Sequence, residues 1–253
     1  MRIKGEIGQI MRKWWRYIPV FLVIIVHCLL YQQNLANAMK WSKMPYTITL
    51  GDYVVEFFKG TLPFSETEQN AFNIPPLWSF YILYFFVLIA WRSSRCFQKT
   101  EYQCLIRGKT RVRWWRYQCE MLAIETVLYL FVTCGSFLLF SVCSGVKING
   151  FEAKLFEQTV LMAGVIFLAM GFLQYTVSLT ASTMLGLFVS ITLLVASVFF
   201  LHPLLPANYL MLIRQENRMT NGVNLLVGTG ISFIVIVLCF FVGRKKIQEK
   251  DLL

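Results

Sequence analysis

Gly108, Lys109 and Thr110 are the residues whose types and order come nearest to chemistry, because a glycine amide, a lysine and a hydroxyl in that order end the loops that cradle nucleotide phosphates. The rest of that pattern is missing. It needs glycine at 103, where Gln103 stands, and the flanks are basic and aromatic where a buried strand and an apolar helix belong. Nowhere else does the chain carry a Walker A sequence. Acid–base and metal chemistry have less to work with: aspartate occurs only at 52 and 251, and the two histidines, His27 and His202, lie in an apolar stretch and in a loop. No triad or metal cluster can be assembled by spacing, so catalysis and cofactor binding by this chain are not expected.

The failed phosphate loop belongs to a more telling segment, Glu101 to Arg116, EYQCLIRGKTRVRWWR. Arg107, Lys109, Arg111, Arg113 and Arg116 crowd together with Trp114 and Trp115, and long apolar runs lie on both sides. Short basic loops between hydrophobic spans mark the cytoplasmic face of a membrane protein. With Leu105, Ile106 and Val112 among its charges, this loop could fold as a short helix under the membrane and offer a contact to a soluble partner.

Composition requires the membrane. Of 253 residues, 57% are apolar and 16% aromatic, which leaves too little polar surface to close a soluble domain. The net charge of +11 sits in loops between apolar runs, so it speaks for topology and against nucleic acid. Seven cysteines include no C-x-x-C pair and fall mostly in apolar or basic stretches, as reduced core residues do.

Six apolar runs, near 17–35, 77–91, 121–142, 159–179, 184–201 and 223–242, predict an all-α polytopic fold with six transmembrane helices. Residues 1–16 place Ile3, Ile7, Ile10 and Trp14 at helical spacing among basic residues, as an amphipathic interfacial helix does; residues 17–253 form the transmembrane domain, with a cytoplasmic segment at 92–119. The start of the chain also has the order of a signal peptide ending at Ala36-Asn37-Ala38, although paired tryptophans are unusual in an n-region. The amino end, the 92–116 loop and the tail after Gly243 hold five, eight and four of the lysines and arginines, against three, two and two in the alternate loops. Both termini are therefore expected in the cytoplasm.

Two outer loops look like more than tethers. In the first, Val54, Phe57 and Phe58 form an apolar face expected to rest on the outer leaflet; the last begins at Pro203 and Pro206 and runs ANYLMLIR, as either a re-entrant or an interfacial segment. Glu120 and Glu125 sit at the base of the third span, where Arg116 and Glu120 are four apart and placed to pair. His27 is expected to be packed, and Ser182, Gly186, Ser190, Gly164 and Gly171 to mark close helix contacts, within the chain or to a second copy.

Together these features resemble the permease subunit of an ABC-2 type (type V) exporter. The likeness covers the whole chain: an amphipathic start, six spans, the FNIPPLW entry to the second span, a loop before the sixth, and the tail Gly243-Arg244-Lys245-Lys246-Ile247. Within the family it is most similar to small Gram-positive permeases that export, or give immunity to, membrane-active peptides, the phenol-soluble-modulin exporter type. The resemblance implies that Glu101 to Arg116 is the coupling helix, with Glu101, Leu105, Ile106, Arg107, Gly108, Lys109, Thr110, Arg111, Arg113, Trp114 and Trp115 meeting a separate ATPase subunit. It further implies that ATP and Mg2+ bind that subunit, that two permeases pair as a homodimer, and that the chain sits in the bacterial plasma membrane among lipids. A regulatory or assembly membrane protein would share this composition.

Overall fold

A computed structural model describes residues 14–42, 47–64, 74–96, 111–146, 148 and 150–249. After a 3-10 turn at Trp14–Tyr17 come α1 (Ile18–Ser42), α2 (Leu50–Phe58), α3 (Pro76–Cys96), α4 (Arg111–Cys143), α5 (Gly150–Thr180), α6 (Thr183–Phe199) and α7 (Leu225–Glu249). The fold is all-α. Five of these helices, all but α2 and α6, are long and apolar enough to cross a membrane. At 17 residues α6 is about 26 Å long, because Ser182 caps its start through Leu185 N–H and extended backbone at Phe200 ends it. The interfacial helix expected at 1–16 lies outside the described residues except for Trp14 to Arg16, which belong to the 3-10 turn.

Apart from α2, successive helices run in alternate directions, and contacts between them define two ends. At one end Arg16 meets Trp91, Arg92 meets Glu125, and Arg111 meets Gln248. This is the basic end. At the other, α2 and the 202–222 loop close over the bundle.

Helix α4 starts ten residues before the apolar run at Met121, so the last part of the 92–119 segment is helical and continuous with it. Trp114, Trp115, Gln118, Cys119, Met121 and Leu122 are all buried at helical spacing, so the helix continues past the last lipid-like residue for as long as it has a protein face to cover. Arg92 to Cys96 likewise belong to α3, and only residues 97–110 connect the two helices. With 33 residues α4 is about 50 Å long, well beyond a bilayer core of roughly 30 Å.

The face carried by α2 docks into protein and not onto lipid. A capping box starts the helix: Asp52 N–H donates to Thr49 Oγ1 at 3.4 Å and Thr49 N–H donates to Asp52 Oδ2 at 3.0 Å. Leu50, Tyr53, Val54, Phe57 and Phe58 then all face inward. Phe57 sits edge-on to Tyr81 and Phe137, with ring centres 5.3 and 5.7 Å away, and Tyr53 meets Phe140 at 5.5 Å. Such ring-to-ring packing between several helices offers more contact than acyl chains could.

The 202–222 loop forms two 3-10 turns, Pro206–Leu210 and Leu212–Arg214, and not a regular helix. Arg214 is fully buried within it. Its Nε donates to Thr61 O at 2.6 Å, Nη2 to Val198 O at 2.7 Å, and Nη1 to Asn208 Oδ1 at 2.6 Å and to Ser197 O. Ser197 and Val198 carry last-turn carbonyls of α6, where the helix dipole favours a cation. One guanidinium thus ties α6, the 59–61 stretch and the loop together. Gly60, at φ +74, lies against Met211 with no room for a Cβ, and Ile213 N–H reaches Lys59 O at 3.1 Å.

Candidate functional site

Four of the contact residues singled out by sequence stand at the basic end. Arg111, Arg113, Trp114 and Trp115 form the first turns of α4, while Glu101, Leu105, Ile106, Arg107, Gly108, Lys109 and Thr110 lie outside the described residues. Trp115 has no exposed surface: its Nε1–H donates to Phe240 O at 2.9 Å, its ring lies 5.8 Å from Tyr175, and Gly243 of α7 approaches so closely that a Cβ there would enter the ring. Trp114 is also buried. Arg111 Nη1 donates to Gln248 O at 2.8 Å, whereas Arg113 and Arg116 are exposed. The two tryptophans therefore pack within the chain, and an exposed arginine face is what these turns present outward.

A second fixture crosses the stem of the 97–110 connection. Arg92 Nη1 of α3 pairs with Glu125 Oε1 of α4 at 3.2 Å, with side chains only 11% and 14% exposed. Arg92 Nη2 also donates to Gln118 Oε1 at 3.0 Å, and Tyr175 OH of α5 donates to the same oxygen at 3.3 Å. The expected partnership of Arg116 with Glu120 does not form; both side chains are exposed, and no ion pair joins them among the described residues. An exposed i,i+4 pair is worth a few tenths of a kcal/mol, about 0.3–0.5, whereas a pair shielded from water gains from the lower local dielectric.

Beside this pair, Tyr84 OH donates to Arg16 O at 2.5 Å and the Arg16 guanidinium stacks 3.6 Å above the Trp91 ring. Arg95 lies over the same indole at 4.3 Å. Behind Arg16 is a water-sized cavity of about 10 Å³ bounded by Tyr17, Phe85, Leu88, Ile89, Glu125 and Tyr129. Arg16 Nε and Nη2 and Glu125 Oε2 are buried without a hydrogen-bond partner among the described residues. A single water in that cavity would satisfy atoms on both sides.

Other sequence candidates have structural places. His27 sits edge-on to Phe57 at 4.9 Å, Gly186 abuts Ser178 and the Gln174 carbonyl, and Gly171 lies against Leu122 and Phe85. Ser182 is a cap and not a packing residue. Among the described residues, no group of three or more His, Cys, Asp or Glu side chains converges as a metal site. Sequence reading did not single out Arg92, Gln118 or Arg214 as fixtures. Their signal was weak but present: each is a polar side chain at the edge of an apolar run, where only a buried partner makes it tolerable. No known family, curated protein or solved structure matches this chain.

Proposed function

We propose that the chain is the permease subunit of an ATP-driven ABC-2 type exporter for amphipathic peptides. It makes six passes through the bacterial plasma membrane with its basic end in the cytoplasm. A separate ATPase subunit binds ATP and Mg2+ and docks on the 101–116 segment, and two permeases act together. The observation that carries the reading is mechanical: the connection between α3 and α4 leads into helices that cannot move independently. Arg92 and Glu125 hold α3 to α4, and Trp115 holds α4 to α5 and α7. A push on the connection is delivered to four helices. Since Trp114 and Trp115 are buried, the docking surface consists of Arg113, Arg116 and the 101–110 residues.

Arg111 already holds Gln248, so the informative variant replaces Arg107 and Arg113 with alanine. Six of the eight bases between 92 and 116 remain, which keeps the orientation signal. The variant should insert normally and lose both co-purification with its ATPase subunit and peptide export. Truncating charges at such contacts costs several kcal/mol, about 2–5, when they are buried in the complex. The chain alone should hydrolyse no ATP, and addition of the ATPase subunit should produce activity. Normal association and export by the variant would remove the docking assignment, and absence of any associated ATPase would favour a regulatory or assembly protein.

A further inference from the structure

The stacked arginines at the basic end are not used by the proposed ATPase contact. Trp91 holds Arg16 and Arg95 at 3.6 and 4.3 Å from its ring centre, and Trp15 lies 6.1 Å from the same ring. Glu125, which lines the small cavity beside Arg16, is committed to Arg92. Neither Arg16 nor Arg95 is in an ion pair among the described residues. Two positive charges stacked on one ring repel, and an anion within reach of both would relieve the repulsion.

The surroundings indicate which anion. Phe80, Tyr84, Val87, Trp91 and Arg95 follow one another at three- and four-residue steps along a single face of α3. Phe80 and Val87 are exposed, and Tyr84 stacks on Phe80 at 6.0 Å. A charged head at the helix end thus continues into an apolar strip about 20 Å long, from Arg95 back to Phe80. A free phosphate has no use for that strip; an acyl chain does. We infer that Arg16, Arg95 and Trp91 form a binding site for one anionic phospholipid, its phosphate held by the two guanidiniums beside the indole and an acyl chain along Val87, Tyr84 and Phe80.

The test is native mass spectrometry of the full chain in micelles containing equal amounts of phosphatidylglycerol and phosphatidylcholine. The wild type should retain one phosphatidylglycerol at least tenfold in preference to phosphatidylcholine, and Arg16→Gln with Arg95→Gln should abolish the preference. Lys245→Gln with Lys246→Gln removes the same charge from exposed positions on α7 and should leave the preference intact. Trp91→Leu keeps every charge and should lower the preference severalfold. Equal loss in the lysine variant would mean diffuse attraction, and displacement by millimolar inorganic phosphate would mean a free-anion site. Absence of preference in the wild type would mean that a carboxylate of the chain fills the position. Each of these three results overturns the lipid site.

Discussion

Arg214 carries a full charge into the interior and satisfies it with main-chain oxygens from two segments and with the Asn208 side chain. Replacement by methionine keeps the bulk but leaves those acceptors without donors, and should cost on the order of 3 kcal/mol in a thermal or denaturant unfolding assay in detergent. Lysine, a point charge without the planar fork, should recover only part of the loss. Arg92 and Glu125 allow a double-mutant cycle: Arg92→Gln and Glu125→Gln together should be less harmful than the sum of the single changes, with a coupling of about 1–3 kcal/mol. Zero coupling would show that the two side chains do not act as a pair. At this scale the sequence was partly legible. Glu125 drew notice as a carboxylate at the base of a span, but its partner is 33 positions away across the connection, and spacing within one helix pointed to Arg116 with Glu120. Local periodicity ranks neighbours on a helix; it has no means of ranking contacts made by the fold.

Among the elements, α4 and α7 are joined by a large ring against a glycine. Gly243→Ala should weaken or displace the Trp115 ring and lower stability, and Trp115→Ala should cost about 3–5 kcal/mol by leaving a cavity. Combined, the two changes should be less harmful than their sum, because the smaller side chain at 115 makes room for the new methyl group; simple additivity in an unfolding assay would place the ring elsewhere. The existence and approximate position of all six apolar helices could be read from hydropathy, since each is a long uninterrupted run. Their true ends could not, as with α4, whose amino-terminal turns are held by protein contacts and not by lipid. The docking of α2 was hidden for a related reason: an apolar face at helical spacing looks the same whether it will meet acyl chains or Tyr81 and Phe137.

For the molecule as a whole, the alternating helix directions leave Trp14 and Glu249 at the same end, in accord with the even number of apolar runs. Cys143 is exposed at the opposite end, while Cys96 ends α3 and Cys104 falls within the 97–110 connection. On the proposed orientation an impermeant thiol reagent should label Cys143 in intact cells and spare Cys96 and Cys104 until the membrane is opened. The reverse pattern would invert the protein in the bilayer. That Arg16, the end of α3, the start of α4 and the end of α7 lie together was legible in the charge count, which sums over loops, whereas the way the 202–222 loop folds depends on a single buried arginine. That arginine bears on the one short helix in the bundle. On the proposed six-pass reading, a helix of about 26 Å stops before the far edge of a hydrocarbon layer of roughly 30 Å, and its last carbonyls would face oil if Arg214 did not stand in for water there. Hydrophobic thickness thereby becomes a variable to which this corner responds. Arg214→Met should be tolerated best in vesicles of short-chain lipids and worst in long-chain ones, where the unsatisfied end of α6 lies deepest.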